Sequence, residues 1–397
     1  MGDDFAWAVW YAVWRVRGED GAEASATREA LDRFDAALGC VPQLDEPLRT
    51  VADYLRGIGP RADAADALLR VSEWALERGA DEPAIQCAEA AAALVPESAR
   101  RALAAGRANR IFSQAARAAL YYERAMTLAR LRRQWRTYVR AHVGLGQVKK
   151  ALGEPAAARA HYYTAARAAR SLSGEKWLAA QTRHDLLVLA AEEGAFDEAL
   201  RHARQALEWY PRHHSRLPAL VHDFGFLLMR LHLYAPAVPL LASVMRASIP
   251  PQDQVIGWST LARAAAGTAD ESGYRAAAEE VLRRVGLFDV HAAAAFENLA
   301  FGAHLLELWE LAEQYATRSI EISTTKAQNE SLNNARRVLT ATHAKAVLSH
   351  RSVDAERLRG PVADLSREMA SRLAAWRGST WKRKHQYGPE RWKSSQA

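Results

Sequence analysis

Cysteine is almost missing from this chain: Cys40 and Cys87 are the only two in 397 residues. Each lies within a helical pattern without a metal-ligand companion, so neither a disulfide framework nor a zinc site is supported, and both are expected to be small core residues. Glycine and proline, 22 and 14 in number, fall mostly between Ala-rich and Leu-rich runs, which is how a mainly helical protein is composed. No stretch alternates as a strand. The apolar run from Phe5 to Trp14 is too short to span a bilayer, and Asp3 and Asp4 precede it where a secretory signal needs positive charge. A cytoplasmic protein without a transmembrane segment is expected. Lysine is scarce, 8 against 45 arginines, a bias that fits a GC-rich, bacterial coding genome.

Catalytic signatures are equally sparse. The sequence has no zinc-protease His pair, phosphate-binding loop or nucleophile elbow, and the Gly-Leu-Gly of residues 144 to 146 sits inside a helical pattern with no preceding strand. The 13 histidines are dispersed; His213 and His214 fall in an interhelix loop, and His222 and His232 read as one helix flanking a groove. The expectation is a non-enzymatic protein with no cofactor and no metal.

What the chain does contain is a spaced pattern. Gly194, Ala199, Ala203, Ala206 and Pro211 follow Leu186 and Leu187, and the register recurs at Gly79, Ala84, Ala88, Ala91 and Pro96, and at Gly153, Ala158, Tyr162 and Ala165. The register also fits Gly106, Tyr122 and Ala125, keeps its spacing through Gly225, Ala237 and Leu241 and through Trp309, Ala312 and Ala316, where Glu307 replaces the turn Gly, and has a poorer copy at Tyr274 and Ala277. Small residues let two helices approach, Gly permits a tight turn, and Pro ends a helix.

This pattern resembles the tetratricopeptide repeat family, whose signature combines Leu-Gly, an Ala, a spaced aromatic and a closing Pro. The resemblance implies an all-α, right-handed α-solenoid superhelix of about seven helix-turn-helix repeats. Its expected divisions are a helical amino-terminal cap at 1–60, a repeat array at 61–325, capping helices at 326–376 and a flexible basic tail at 377–397. The cap would hold helices at 3–16 (with Trp7, Trp10 and Trp14), 25–39 and 45–58. The capping region would hold two helices broken near Gly360 and Pro361. Most repeat steps are about 38 to 41 residues, longer than the family's usual 34, which helices extended by about a turn would explain.

Charge is segregated. The net charge of +7 combines −10 over residues 1 to 99, +14 over Arg100 to Arg170, −2 over residues 171 to 376 and +5 over the last 21 residues. The resemblance implies that the first helix of each repeat lines a concave groove, which carries Arg100, Arg107 and Arg110, then Arg140, Gln147 and Lys150, then Gln181 and His184. Offsets of three, seven and ten residues place such groups on one helical face, where guanidinium forks suit a carboxylate. The implied function is a protein-interaction scaffold or adaptor that holds an acidic protein or peptide segment. Three other functions fit the same residues: a peptide-responsive regulator acting on a transcriptional partner, nucleic-acid binding through the basic middle and tail, and an assembly subunit docking through its Trp-rich first helix. Tyr121, Trp135, Tyr138 and Tyr163 interleave with the arginines as stacking candidates, whereas Tyr122 and Tyr162 occupy packing positions of the repeat.

Overall fold

The computed structural model describes residues 41–172, 174–247, 249–286, 291–346, 348 and 355–376. The expected helices at 3–16 and 25–39, Cys40 and the tail lie outside the described residues. Those described form two compact units, one reaching to Ala169 together with Lys326–Gln328, the other from Arg170 to Thr325 and from Asn329 onward. All regular structure among them is helical.

In the first unit a short 3-10 turn, Pro42–Leu44, leads into α1 (Asp45–Leu55), α2 (Arg61–Glu77), α3 (Asp81–Leu94), α4 (Ala99–Ile111), α5 (Ala115–Leu131), α6 (Trp135–Ala151) and α7 (Pro155–Arg170). The second unit has α8 (Lys176–Glu192), α9 (Phe196–Trp209), α10 (Leu217–Arg230), α11 (Tyr234–Arg246), α12 (Pro251–Ala266), α13 (Glu271–Val285), α14 (Ala292–Leu305), α15 (Trp309–Thr325), α16 (Asn329–His343) and α17 (Ala355–Ala374). Successive helices pair as antiparallel hairpins from α2 to α7 in the first unit and from α8 to α15 in the second, and within each unit the first helix of a hairpin also packs on the first helix of the next.

The pairing follows from side-chain size. Ala84, Ala88 and Ala91 of α3, and Ala199, Ala203 and Ala206 of α9, are fully buried where the two helices meet. Gly144 and Gly146 of α6 are notches for rings: a Cβ at 144 would fall 2.2 Å from Tyr122 Cζ, and one at 146 would fall 2.6 Å from Tyr162 Cε1. Both tyrosines are buried, as their repeat positions imply, and the Gly-Leu-Gly is thereby a packing device. Cys87 is likewise a buried core residue.

Every first-to-second turn places a left-handed residue at one equivalent position. Gly79, Gly153 and Gly194 fill it with φ of 69° to 78°, but Ser113, His232, Ala269 and Glu307 fill it too, at 58° to 60°. The turn is therefore set by the hairpin and tolerated by side chains that pay a backbone penalty of about 1 kcal/mol there. This corrects one expectation: His232 lies in the turn after α10, so it and His222 do not share a helix.

The long repeat step has two sources. Helices α5, α6 and α8 run to 17 residues, as expected of helices extended by a turn. Further along, α9 to α11 are 13 or 14 residues, and the length instead resides in the connection 210–216.

The C-terminal helix is the larger correction. Instead of breaking at Gly360–Pro361, α17 continues through Pro361. A proline there removes one helical hydrogen bond, and burial offsets the loss: Leu358, Val362, Leu365, Met369 and Leu373 join the core of α8 to α11. The helix folds back on α9, α10 and α11. Arg372 Nη1 donates to the carbonyls of Leu207 and Tyr210, and Trp376 Nε1 to that of His214 at 3.2 Å.

Candidate functional site

Because first helices lie side by side, residues one repeat apart in sequence become neighbours. In the first unit α2 and α4 show this at a separation of 34 residues. Arg100 Nη1 is 3.9 Å from Asp66 Oδ1. Burial pushes the Glu73 carboxyl up, and the charges of Arg107 and Arg100 draw it partly back. Arg101 also reaches Asp66, at 3.0 Å, and the Ala62 carbonyl. Sequence reasoning missed Asp66 and Glu73, although opposite charge at one repeat step was a legible signal.

The next step, α4 to α6, is different. Arg100, Arg107 and Arg110 stand 40 residues before Arg140, Gln147 and Lys150, and neither helix contains an Asp or Glu. Arg100 is exposed and the other five are half-buried. Arg110 Nε donates to the Tyr122 hydroxyl at 3.2 Å, which orients its guanidinium across the α4–α5 hairpin. The charged side chains of α4 and α6 are thus all basic, and Asp66 and Glu73 of α2 face Arg100 and Arg107 among them.

Gln181 and His184 lie on α8, in the second unit, and His184 begins a polar ladder with the same logic. His184 Nε2 is 2.7 Å from Asp223 Oδ2 of α10, and its Nδ1 is 3.5 Å from the Tyr210 hydroxyl. Only 4% of His184 is exposed, so its nitrogens serve the fold. His222 Nδ1 is 2.8 Å from Asp223 Oδ1, and its Nε2 is 3.0 Å from Thr260 Oγ1 of α12. Burial alone would raise the Asp223 carboxyl, but hydrogen bonds from the two imidazoles outweigh it and hold the pKa well below the usual carboxylate range. One step on, Asn298 Nδ2 of α14 donates to Ser259 Oγ at 3.3 Å, and His304 Nδ1 is 3.0 Å from Thr342 Oγ1 of α16.

The line Thr260, His222, Asp223 imitates a hydrolase relay in order only. Thr260 is 1% exposed, and its hydroxyl lies 2.8 Å from the Ile256 carbonyl in its own helix, so a substrate carbon has no approach to it. Beside the ladder, the Arg263 guanidinium is 3% exposed, stacks 3.7 Å above the Phe301 ring and donates to Asn298 Oδ1 at 3.2 Å. Burial lowers its pKa. Glu297, on the same face, is pushed up to about 7 by burial, against the pull of Arg263.

Stacked antiparallel hairpins joined through a repeating row of first helices define an all-α helical-repeat protein of the solenoid class. Residues 137–212 match the family profile described as tetratricopeptide repeat. No curated protein sequence matches it. Among solved structures, the APC/C hetero-tetramer Cut9-Hcn1 is similar at 14% identity and TM-score 0.49, over 83% of this chain and 62% of that one. The chain therefore spans less than two thirds of that protein's length. NprR in complex with its cognate peptide NprX is similar at 12% identity and TM-score 0.44, over 86% of this chain and all of the other. A Rap protein complexed with Competence and Sporulation Factor gives 14% identity and TM-score 0.42, over 86% and 98%. Among the described residues, no helix is long and apolar enough to cross a membrane.

Proposed function

We propose that this tetratricopeptide-repeat scaffold captures an acidic protein or peptide segment on the face formed by α4 and α6. The observation that carries the proposal is the surplus of cations over acids on these helices. Helices α4 and α6 carry Arg100, Arg107, Arg110, Arg140 and Lys150 and no carboxylate of their own, and Asp66 and Glu73 of α2 face only Arg100 and Arg107 among them. Carboxylates on a bound segment would pair with that surplus through charge-assisted hydrogen bonds. Gln147, between the cations, would add a neutral donor and acceptor that fixes the segment's direction.

The test is fluorescence anisotropy with a panel of labelled peptides that interleave acidic and apolar residues, against the same panel with each acid amidated. The acidic panel should bind preferentially. The Arg107→Glu, Arg140→Glu variant should bind it at least about a hundredfold more weakly, at about 1.5 kcal/mol or more per lost charged hydrogen bond, with an unchanged helical circular-dichroism signal. Equal binding by wild type and variant would remove α4 and α6 as the capture face.

A further inference from the structure

The turns that follow second helices all lie at one end of the first unit's antiparallel hairpins. Two of them present large aliphatic side chains to solvent: Ile58, 74% exposed in the α1–α2 turn, and Leu131, 73% exposed at the α5–α6 turn. The Ile58 turn is electrically quiet, since Arg56 lies 3.6 Å from Asp53 and Arg61 lies 3.8 Å from Glu97. The α5–α6 turn is not. Arg130, Leu131, Arg132, Arg133, Gln134, Trp135 and Arg136 are consecutive and all exposed. The nearest acids along the chain are Glu123 and Glu154.

Trp135 is 42% exposed and braced by Tyr138, whose ring meets it edge to face at 5.8 Å. It is thus held at the tip with part of its ring protruding. Aromatic rings of this kind settle at the headgroup level of a bilayer, apolar tips enter just beneath it, and arginines pair with anionic headgroups around them. Leu131 has no face on which a nucleobase stacks, and bracing leaves Trp135 little room between two bases, so the apolar component favours lipid over nucleic acid.

We infer that the α5–α6 turn docks this protein peripherally on an anionic bilayer surface, with Leu131 and Trp135 entering the interface and Arg130, Arg132 and Arg133 engaging acidic headgroups. This surface is separate from the α4–α6 capture face. The protein would hold a client on its helices while its turn rests on the membrane.

The test is co-sedimentation of the full chain with phosphatidylcholine vesicles, with and without about one third phosphatidylserine. Wild type should sediment with the anionic vesicles only, and affinity should fall about fivefold for each arginine removed in Arg132→Gln and Arg132→Gln, Arg133→Gln. Leu131→Ser should weaken it about tenfold further through lost apolar burial. Arg133→Gly separates binding from folding: Arg133 has φ 55°, so glycine should raise the melting temperature while vesicle binding falls. Arg107→Glu, Arg140→Glu should still sediment, so failure of the capture face and failure of the docking turn give different results. Equal sedimentation with both vesicle types would overturn the inference. So would binding indifferent to Leu131→Ser, or a single-stranded oligonucleotide that displaces the vesicles and is itself bound equally by Leu131→Ser.

Discussion

Glu297→Gln distinguishes two opposite roles for a carboxylate beside buried arginines. If Glu297 were an ion-pair partner of Arg263, removing its charge would destabilise the protein. The structure points the other way, because desolvation outweighs the attraction of Arg263 and lifts the carboxyl from 4.5 to about 7. An acid whose folded-state pKa is raised binds more protons folded than unfolded, so stability declines as pH rises from about 4.5 through about 7 and then levels off. At about 1.4 kcal/mol per pKa unit the full penalty is about 3.5 kcal/mol, and the partial exposure of Glu297 reduces it to about 1–2 kcal/mol. Urea denaturation followed by circular dichroism should therefore show the Gln variant more stable than wild type by that amount at pH 8 and nearly equal at pH 4.5. Destabilisation by 1 kcal/mol or more at pH 8 would refute the argument and reinstate Glu297 as a pairing partner.

Gly144→Ala should destabilise the first unit by about 1–3 kcal/mol, because the new methyl meets the buried Tyr122 ring and overpacking exceeds the helix-propensity gain; adding Tyr122→Leu should recover part of the loss in the same urea melts. Met369→Ala should cost about 2–4 kcal/mol and act on the second unit alone, since Met369 is fully buried in the core of α8 to α11; hydrogen exchange that changes equally in α2 to α6 would contradict this. Acid should unfold the protein early. His142, His202 and His214 are each held down to about 4 by burial, with His161 adding to it at His142, Arg183 and Arg201 at His202, and Arg216 and His184 at His214. Their contribution is intact above pH 6.5 and lost as pH falls toward 4, at up to about 1.4 kcal/mol per unit for each. Retention of full stability at pH 4.5 would show that these imidazoles protonate without cost.

The repeat was legible because its grammar is local. Alanine where two helices touch, glycine where a ring must enter and proline where a helix must stop each answer to the nearest turn or hairpin, so the spacing around Gly194 or Gly153 gave both the pairing and the buried tyrosines. The cationic face was half legible. The 40-residue offset from Arg107 to Gln147 was written in the repeat length, and so was the 34-residue offset from Glu73 to Arg107. His184 stands at a groove position but is taken up by Asp223, because such a position also faces the next first helix.

By itself, then, the sequence determined the helices, their pairing and the period that brings equivalent residues together, since all three depend on side chains within one or two turns of each other. Only the tertiary structure decided where α17 lies. Its apolar face, Leu358 to Leu373, states that something must cover it but not what, and nothing local in Pro361 reveals that long-range burial against α9 to α11 offsets a lost hydrogen bond. The charge state of Glu297 was beyond the sequence for the same reason, because desolvation depends on what surrounds a group in space and not on what precedes it in the chain.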